Sequence, residues 1–271
     1  MADLITELKD LTHLTWDERA TTSGTGGAFL KARDALHRTT RYYKLSCYDA
    51  YRGIYGHECV NELIVSRLLE VLRIPHVSYR LVRARVLVDG VERVTWVSES
   101  ESYRADDEKK QAFDVFYDLR REAGESPIEF CTRYGWRSHV EQMLLVDYLV
   151  ANRDRHGANI EVLRSPSGAV RLAPLFDHGL CFVFSAYDDE GRAAAFDPLS
   201  DVNANNFIGT RSLRENLRFV RGPLDVGSID EGQVDSMLGD LQVVLPKAHR
   251  EKIKEIILTR WAVARDLGIV S

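Results

Sequence analysis

Cysteine is sparse in this chain and never paired. Cys47, Cys59, Cys131 and Cys181 are scattered over 271 residues, with no C-x-x-C spacing and no histidine placed to finish a metal set. That excludes a zinc finger or ribbon, whose ligands come in close pairs, and reads as reduced thiols, mostly buried, in a reducing compartment. Long apolar runs are also missing. No stretch approaches the roughly 20 residues that cross a bilayer. The opening MADLITELKDLTHLTWDERA has neither the basic start nor the apolar run of a secretory leader. The expectation is a soluble, cytoplasmic protein with no membrane partner. Nor is there a surplus of positive charge: 36 Lys and Arg stand against 41 Asp and Glu, a formal net charge of -5. A broad cationic surface for displacing counterions from phosphates is therefore not indicated, and no nucleic-acid partner is expected. Internal repeats and low-complexity tracts are absent. Hydrophobic residues make up 45% and charged residues 28% of the chain, ordinary values that favour a real core over disorder.

What is present divides in two. Up to about residue 98 the pattern is strands plus one long helix. A glycine-rich break, Ser23-Gly24-Thr25-Gly26-Gly27, is flanked by strand-like pieces at 28–32 and 41–46. In the second piece Tyr43 and Leu45 alternate with Tyr42, Lys44 and Ser46. A helix is predicted over 57–72, with Val60, Ile64, Leu68 and Leu72 as its apolar stripe and Pro75 ending it. A hairpin follows over 77–97, turning at Asp89-Gly90 between β-branched runs. Beyond the polar connector ESESYRADDEKK the chain reads as helical, with segments at 107–122, 127–134, 138–151, 211–220, 230–243 and 246–266. Two short strands, 160–163 and 170–175, flank a Ser-Pro-Ser-Gly turn, and 185–210 is polar and irregular. The fold class expected is α+β, with a β-rich part over 1–98 and a helical part over 99–271.

The chemistry concentrates in the helical part. Asn152-Arg153-Asp154-Arg155-His156-Gly157-Ala158-Asn159 follows the apolar helix 138–151, and Phe176-Asp177-His178-Gly179 closes the second short strand. Asp154 and Asn159 are five residues apart, and Asn159 and Asp177 eighteen. Asp, Asn and Gly alone make ordinary turns. A second carboxylate beyond a hairpin turns the pattern toward phosphoryl transfer, where one carboxylate orients a hydroxyl while a carboxylate and an amide oxygen hold magnesium.

The N-x-D-R-H-x-x-N motif, with DHG where protein kinases carry DFG, resembles the HipA-like Ser/Thr kinases. YYKLS and YGHECVNELIVSRLLEVLRI resemble that family's lysine strand and the helix after it. The resemblance covers roughly 20–265 and lacks the extra N-terminal subdomain of longer members. DRHxxN also occurs in phosphoinositide kinases, so the motif alone does not choose the acceptor. The resemblance implies a bilobal protein-kinase-like fold using ATP and Mg²⁺. Asp154 is implied as the catalytic Asp, Asn159 and Asp177 as metal ligands, and Lys44 as the contact to the α/β-phosphates. Glu62 is implied as the partner of Lys44, with Glu58, one turn earlier on the same face, as the rival. Ser23, Gly24, Thr25, Gly26 and Gly27 would cover the phosphates, although SGTGG is not a full GxGxxG. Val97, Ser98 and Glu99 would form the hinge beside adenine. His156 is counted among the cofactor-site residues, with a structural role for its ring preferred; His57 and His178 are read as structural. Arg153 and Arg155 are read equally as phosphate contacts or as packing and ion-pair residues. No APE-like segment follows DHG, so substrate docking would differ from that of ordinary protein kinases.

The partners implied are a protein substrate carrying Ser or Thr and a regulatory partner protein. The resemblance also implies that phosphorylation within the loop, among Thr21, Thr22, Ser23 and Thr25, would switch the enzyme off, since added negative charge repels the ATP phosphates. A lipid or small-molecule kinase on the same core, or a nucleotide-binding pseudokinase serving as a partner-binding module, are the alternatives.

Overall fold

In a computed structural model of the chain, residues 3–16, 29–37, 39–49 and 51–271 are described. The first part is a mixed sheet with one helix on it. Its elements are β1 (Leu4–Asp10), β2 (Phe29–Asp34), β3 (Arg41–Asp49), β4 (Gly53–Tyr55), α1 (Glu58–Leu72), β5 (Tyr79–Val88) and β6 (Val91–Glu101). The sheet order is β1-β5-β6-β3-β2, with β4 paired to β3. β1 runs parallel to β5, and the other pairs are antiparallel. The expected hairpin is β5–β6. Asp89 and Gly90 both take positive φ, 51° and 75°, which matches the right-handed twist of the flanking strands.

Period-two alternation divides the sheet residues between two cores. Tyr43, Leu45, Val82, Ala84, Val86 and Val97 pack with Leu11 and Leu14 on one face. Lys44 and Ser46 lie on the opposite face, toward α1. The stripe of α1, with Leu63, Ile64 and Leu68 fully buried, belongs to the main core, which continues into the helical part. One helix thus packs against both the sheet and the helices.

The helical part contains β7 (Lys109–Ala112), α2 (Phe113–Arg120), α3 (Pro127–Arg133), α4 (Arg137–Leu149), β8 (Asp154–Arg155), β9 (Glu161–Arg164), β10 (Val170–Leu172), α5 (Glu190–Ala194), β11 (Asn205–Asn206), α6 (Leu213–Asn216), α7 (Glu231–Leu238) and α8 (Lys247–Asp266). In α4 the buried residues run almost all the way round, from Val140 to Leu149. No helix among the described residues is long and apolar enough to cross a membrane.

The structure departs from the sequence reading at four places. The helix expected over 107–122 begins only at Phe113, because Phe113, Phe116 and Tyr117 are its first buried face. The charged Lys109–Ala112 instead pairs antiparallel with β9, making a three-stranded sheet of the hairpin. The stretch 185–210 holds α5 and β11. β1 has no clear alternation of its own and exists through a non-local pairing with β5 and the grip of Arg67 on Asp3, 2.7 Å. Finally, α1 ends at Leu72 as expected, but Arg73 rather than Pro75 closes it: Arg73 enters the left-handed region at φ 56° and donates its N–H to Glu70 O at 3.1 Å.

Because α1 joins the two parts of the core, Leu68→Ala is expected to lower unfolding free energy by about 2–5 kcal/mol. Urea titration followed by circular dichroism measures this, and a change below about 1 kcal/mol would contradict the packing described.

Candidate active site

The sheet and α1 bring three charged groups to one point. Lys44 leaves β3 on the α1 face and places Nζ 3.0 Å from Glu62 Oε1 and 2.5 Å from Asp177 Oδ1. Glu62 Oε2 accepts the backbone N–H of His178 at 2.9 Å. Asn61 donates its amide to Gly179 O at 2.9 Å and to Cys181 O at 3.3 Å. Neighbouring residues of one helix therefore hold both the lysine and the Asp-His-Gly segment. Asp177 is itself in the left-handed region, φ 58°, a conformation Asp tolerates better than most residues. Glu58 turns elsewhere, to the Cys47 N–H at 3.4 Å and the Cys47 thiol at 3.2 Å. Of the two candidate glutamates, Glu62 is the one paired with Lys44.

Burial disfavours the ammonium of Lys44, but the carboxylates of Asp177 and Glu62 outweigh it and hold its pKa well above the ordinary lysine value. For Asp177 burial works upward and is overcome by Lys44 and Lys31, which keep the carboxyl below the usual carboxylate range.

The loop after α4 is fixed from beneath. Ala151 turns the chain with φ 53°. Asp147, buried in α4, accepts from Asn152 Nδ2 at 2.8 Å and from Arg155 Nη2 at 2.9 Å. Arg155 is fully buried. Its Nη1 reaches Asn159 O at 3.0 Å and Phe176 O at 2.9 Å, and Nη2 lies 2.8 Å from His178 Nε2. One guanidinium thus ties the Asp154–Asn159 loop to the strand end that carries Asp177. Burial and the adjacent Arg155 push His178 well below the usual histidine range, so its ring is neutral and Nε2 accepts. Arg155 is accordingly an ion-pair and packing residue, and Arg153 stacks its guanidinium over the Phe184 ring at 5.3 Å.

Asn159 donates Nδ2 to Asp154 O at 2.8 Å. The Asp154 carboxyl is raised by burial, an effect that the neighbouring His156 opposes. His156 Nδ1 accepts from the Ala158 N–H at 3.1 Å, and Nε2 lies 3.6 Å from Asp154 Oδ2.

A cavity of about 730 Å³ opens beside Lys44 and Asp177, large enough for a nucleotide-sized ligand. Ser98 lines it, whereas Val97 and Glu99 are fully buried and do not. The Glu99 carboxylate faces away, toward Arg80 and Lys9. Ser23, Gly24, Thr25, Gly26 and Gly27 lie outside the described residues.

Several lining residues went unnoticed in the sequence. Lys31 is in register with Lys44 across β2 and β3 and enters the same cavity; burial lowers its pKa, opposed by Asp177. Its place in the strand just after the glycine-rich break was the available signal. Tyr103 stacks on Phe176, centroids 5.9 Å apart, and donates its hydroxyl to Glu161. Lys110 takes the other Glu161 oxygen at 2.9 Å. Nothing local marks these three: the non-local pairing of β7 with β9 brings Lys110 to Glu161, and Tyr103 reaches it from the segment before β7.

Among the described residues, no three His, Cys, Asp or Glu side chains group as a metal site. The remaining set still suits a hard cation. Lys44 favours the carboxylate form of Asp177, and Asn159 commits its nitrogen to Asp154 O, while among the described residues no donor is bonded to its amide oxygen. One carboxylate and one amide oxygen, completed by water and phosphate, is the sparse ligand set Mg²⁺ takes from proteins.

No family model and no curated protein matches the chain. Among solved structures, the proinflammatory kinase CtkA of Helicobacter pylori superposes with a TM-score of 0.58 at 15% identity, over 97% of this chain and 97% of that one. HipA of Shewanella oneidensis MR-1, solved with HipB and operator DNA, is matched over 91% of this chain and 57% of that one, with 17% identity and a TM-score of 0.42. The Mycobacterium tuberculosis PknI kinase domain is matched over 88% and 92%, with 12% identity and a TM-score of 0.31. From end to end, the chain is similar in fold to the Helicobacter kinase: a β-rich first part and a helical second part in a kinase-like arrangement.

Proposed function

We propose that the chain is an ATP- and Mg²⁺-dependent protein Ser/Thr kinase of the HipA-like kind, with residues 1–98 forming the lobe that covers the nucleotide and 99–271 the lobe that carries the catalytic loop. The observation that carries this reading is the buried Lys44 ammonium, shared between Glu62 and Asp177 at the wall of the cavity. Such a cation, aimed into a cleft and held by two carboxylates, offers fixed positive charge where a triphosphate needs it.

In this reading the adenine end of ATP lies along Ser98 and Tyr103, and the phosphates extend toward Lys31 and Lys44. Asp177 and the Asn159 amide oxygen hold Mg²⁺, which when bound neutralises charge on the phosphate oxygens. Asp154 accepts the proton of a Ser or Thr hydroxyl. As the hydroxyl oxygen bonds to the γ-phosphorus, the bond from that phosphorus to the β,γ-bridging oxygen breaks and ADP leaves. Arg155 contributes by holding the loop and the Asp177 strand end at a fixed separation, since positioning supplies much of the rate in such transfers.

Asp177→Asn is expected to lower ³²P transfer from γ-labelled ATP by about 100-fold or more, with an unchanged circular dichroism spectrum. Unchanged incorporation would refute the metal-ligand role. Transfer to inositol lipids or other small alcohols, and to no protein, would reassign the acceptor.

Self-phosphorylation in the glycine-rich loop belongs to the same proposal. Mass spectrometry after incubation with ATP and Mg²⁺ is expected to find phosphate among residues 21–25 in the wild type and none there in Asp177→Asn. A wild-type loop free of phosphate would remove this part of the proposal.

A further inference from the structure

A second cavity lies in the helical part, away from the cleft. Its volume is about 610 Å³, and four of the side chains lining it are arginines: Arg133 of α3, Arg137 of α4, and Arg218 and Arg221 of the segment after α6. In a chain of formal net charge -5, this concentration of positive charge stands against the overall balance. The segment bearing the last two is fixed at both ends. Leu217 is buried in the main core, and Leu224 N–H donates to Ile269 O at 2.8 Å. Between them, Phe219 O accepts from Arg137 Nη2, which ties the segment to the start of α4. That helix is 13 residues long, about 20 Å at 1.5 Å per residue, and the Asp154 loop follows its other end. The two cavities share no lining residue.

Two of the four cations are already committed. Arg133 Nε and Nη2 each donate to the Glu125 carboxylate at 2.7 Å, and Arg137 Nε donates to Glu141 at 2.6 Å. Glu129, the carboxylate at the wall, accepts the Ser126 N–H at 2.9 Å and its hydroxyl at 2.6 Å in the cap of α3. Arg218 and Arg221 are exposed, and among the described residues no carboxylate pairs with either. Two unpaired guanidinium groups match the charge of a phosphate monoester, which is close to two, and their planar forks fit its oxygens. A carboxylate brings only one charge. Ile128 and Phe219, half-buried, add an apolar wall to the same cavity. A bare phosphate ion makes no use of such a wall, whereas the side chain next to a phosphorylated residue does.

We propose that this cavity is a docking site for a phosphorylated serine or threonine within a peptide segment, with Arg218 and Arg221 gripping the phosphate and Ile128 and Phe219 seating the adjoining side chain. The inference does not depend on the kinase reading, because binding alone reveals the site.

Fluorescence anisotropy with the full chain tests it. The probe is a fluorescein-labelled peptide holding one phosphoserine flanked by leucines. Its serine and glutamate twins and inorganic phosphate are the competitors. The phosphopeptide is expected to bind at least about 10-fold more tightly than the serine twin, and added salt is expected to weaken it. Joint substitution of Arg218→Ala and Arg221→Ala is expected to lower affinity about 10-fold or more, with the thermal midpoint unchanged. Arg214→Ala removes an exposed arginine of α6 that does not line the cavity, and is expected to bind like the wild type. So is Asp177→Asn, which alters only the cleft. Equal affinity for the phosphopeptide and its serine twin, or full binding by the double variant, overturns the inference. An equal loss in Arg214→Ala reduces the binding to diffuse charge attraction, and a loss in Asp177→Asn places the peptide in the cleft; either overturns it too. Inorganic phosphate or the glutamate twin binding as tightly as the phosphopeptide removes the phosphopeptide assignment.

Discussion

The site depends on a buried lysine that two carboxylates share. An ammonium in the interior is costly unless paired, and Lys44 has both Glu62 and Asp177 within hydrogen-bond distance. Each contact comes from a different element: β3 gives the lysine, α1 the glutamate, and the turn after β10 the aspartate. The electrostatic cost of leaving any of them alone draws the three elements together. The same constraint explains why Asn61, next to Glu62, spends its amide on the carbonyls of Gly179 and Cys181: the helix holds the segment by its backbone as well as by its charge.

A second buried ion pair serves the loop. Arg155 with Asp147 is nearly inaccessible to solvent, and breaking such a pair strands a charge in the core. Its guanidinium has donors to spare, and these reach Asn159 O, Phe176 O and the neutral His178 ring. The loop and the Asp177 strand end are thereby tied to one planar group. The pairing of β11 with β8 fastens the loop from the other side. Between these two supports, Asp154 and Asn159 have little freedom.

Local patterns with an unambiguous period carried much of the fold into view. The apolar stripe of α1, the all-round burial of α4 and the Asp-Gly turn of the β5–β6 hairpin were each legible, because each is encoded within its own segment. The strand Lys109–Ala112 was not. Its charges carry no period, and it is a strand because β9 offers a free edge. The choice between Glu58 and Glu62 was equally closed to sequence: the two lie four residues apart on one helical face, and only the depth at which α1 crosses β3 sends one to Cys47 and the other to Lys44.

The sequence by itself determined the chemical types, their order and their spacing: a lysine on an alternating strand, glutamates on a helix, and Asp, Asn and Asp at separations suited to phosphoryl transfer. It also determined the α+β class, since periods of two and of 3.6 are local properties of the chain. Tertiary structure alone decided which side chains meet. Lys44 with Asp177, Tyr103 and Lys110 with Glu161, and β8 with β11 join parts of the chain that are far apart in sequence. Such contacts follow from how whole faces bury together, and no window of sequence contains both partners.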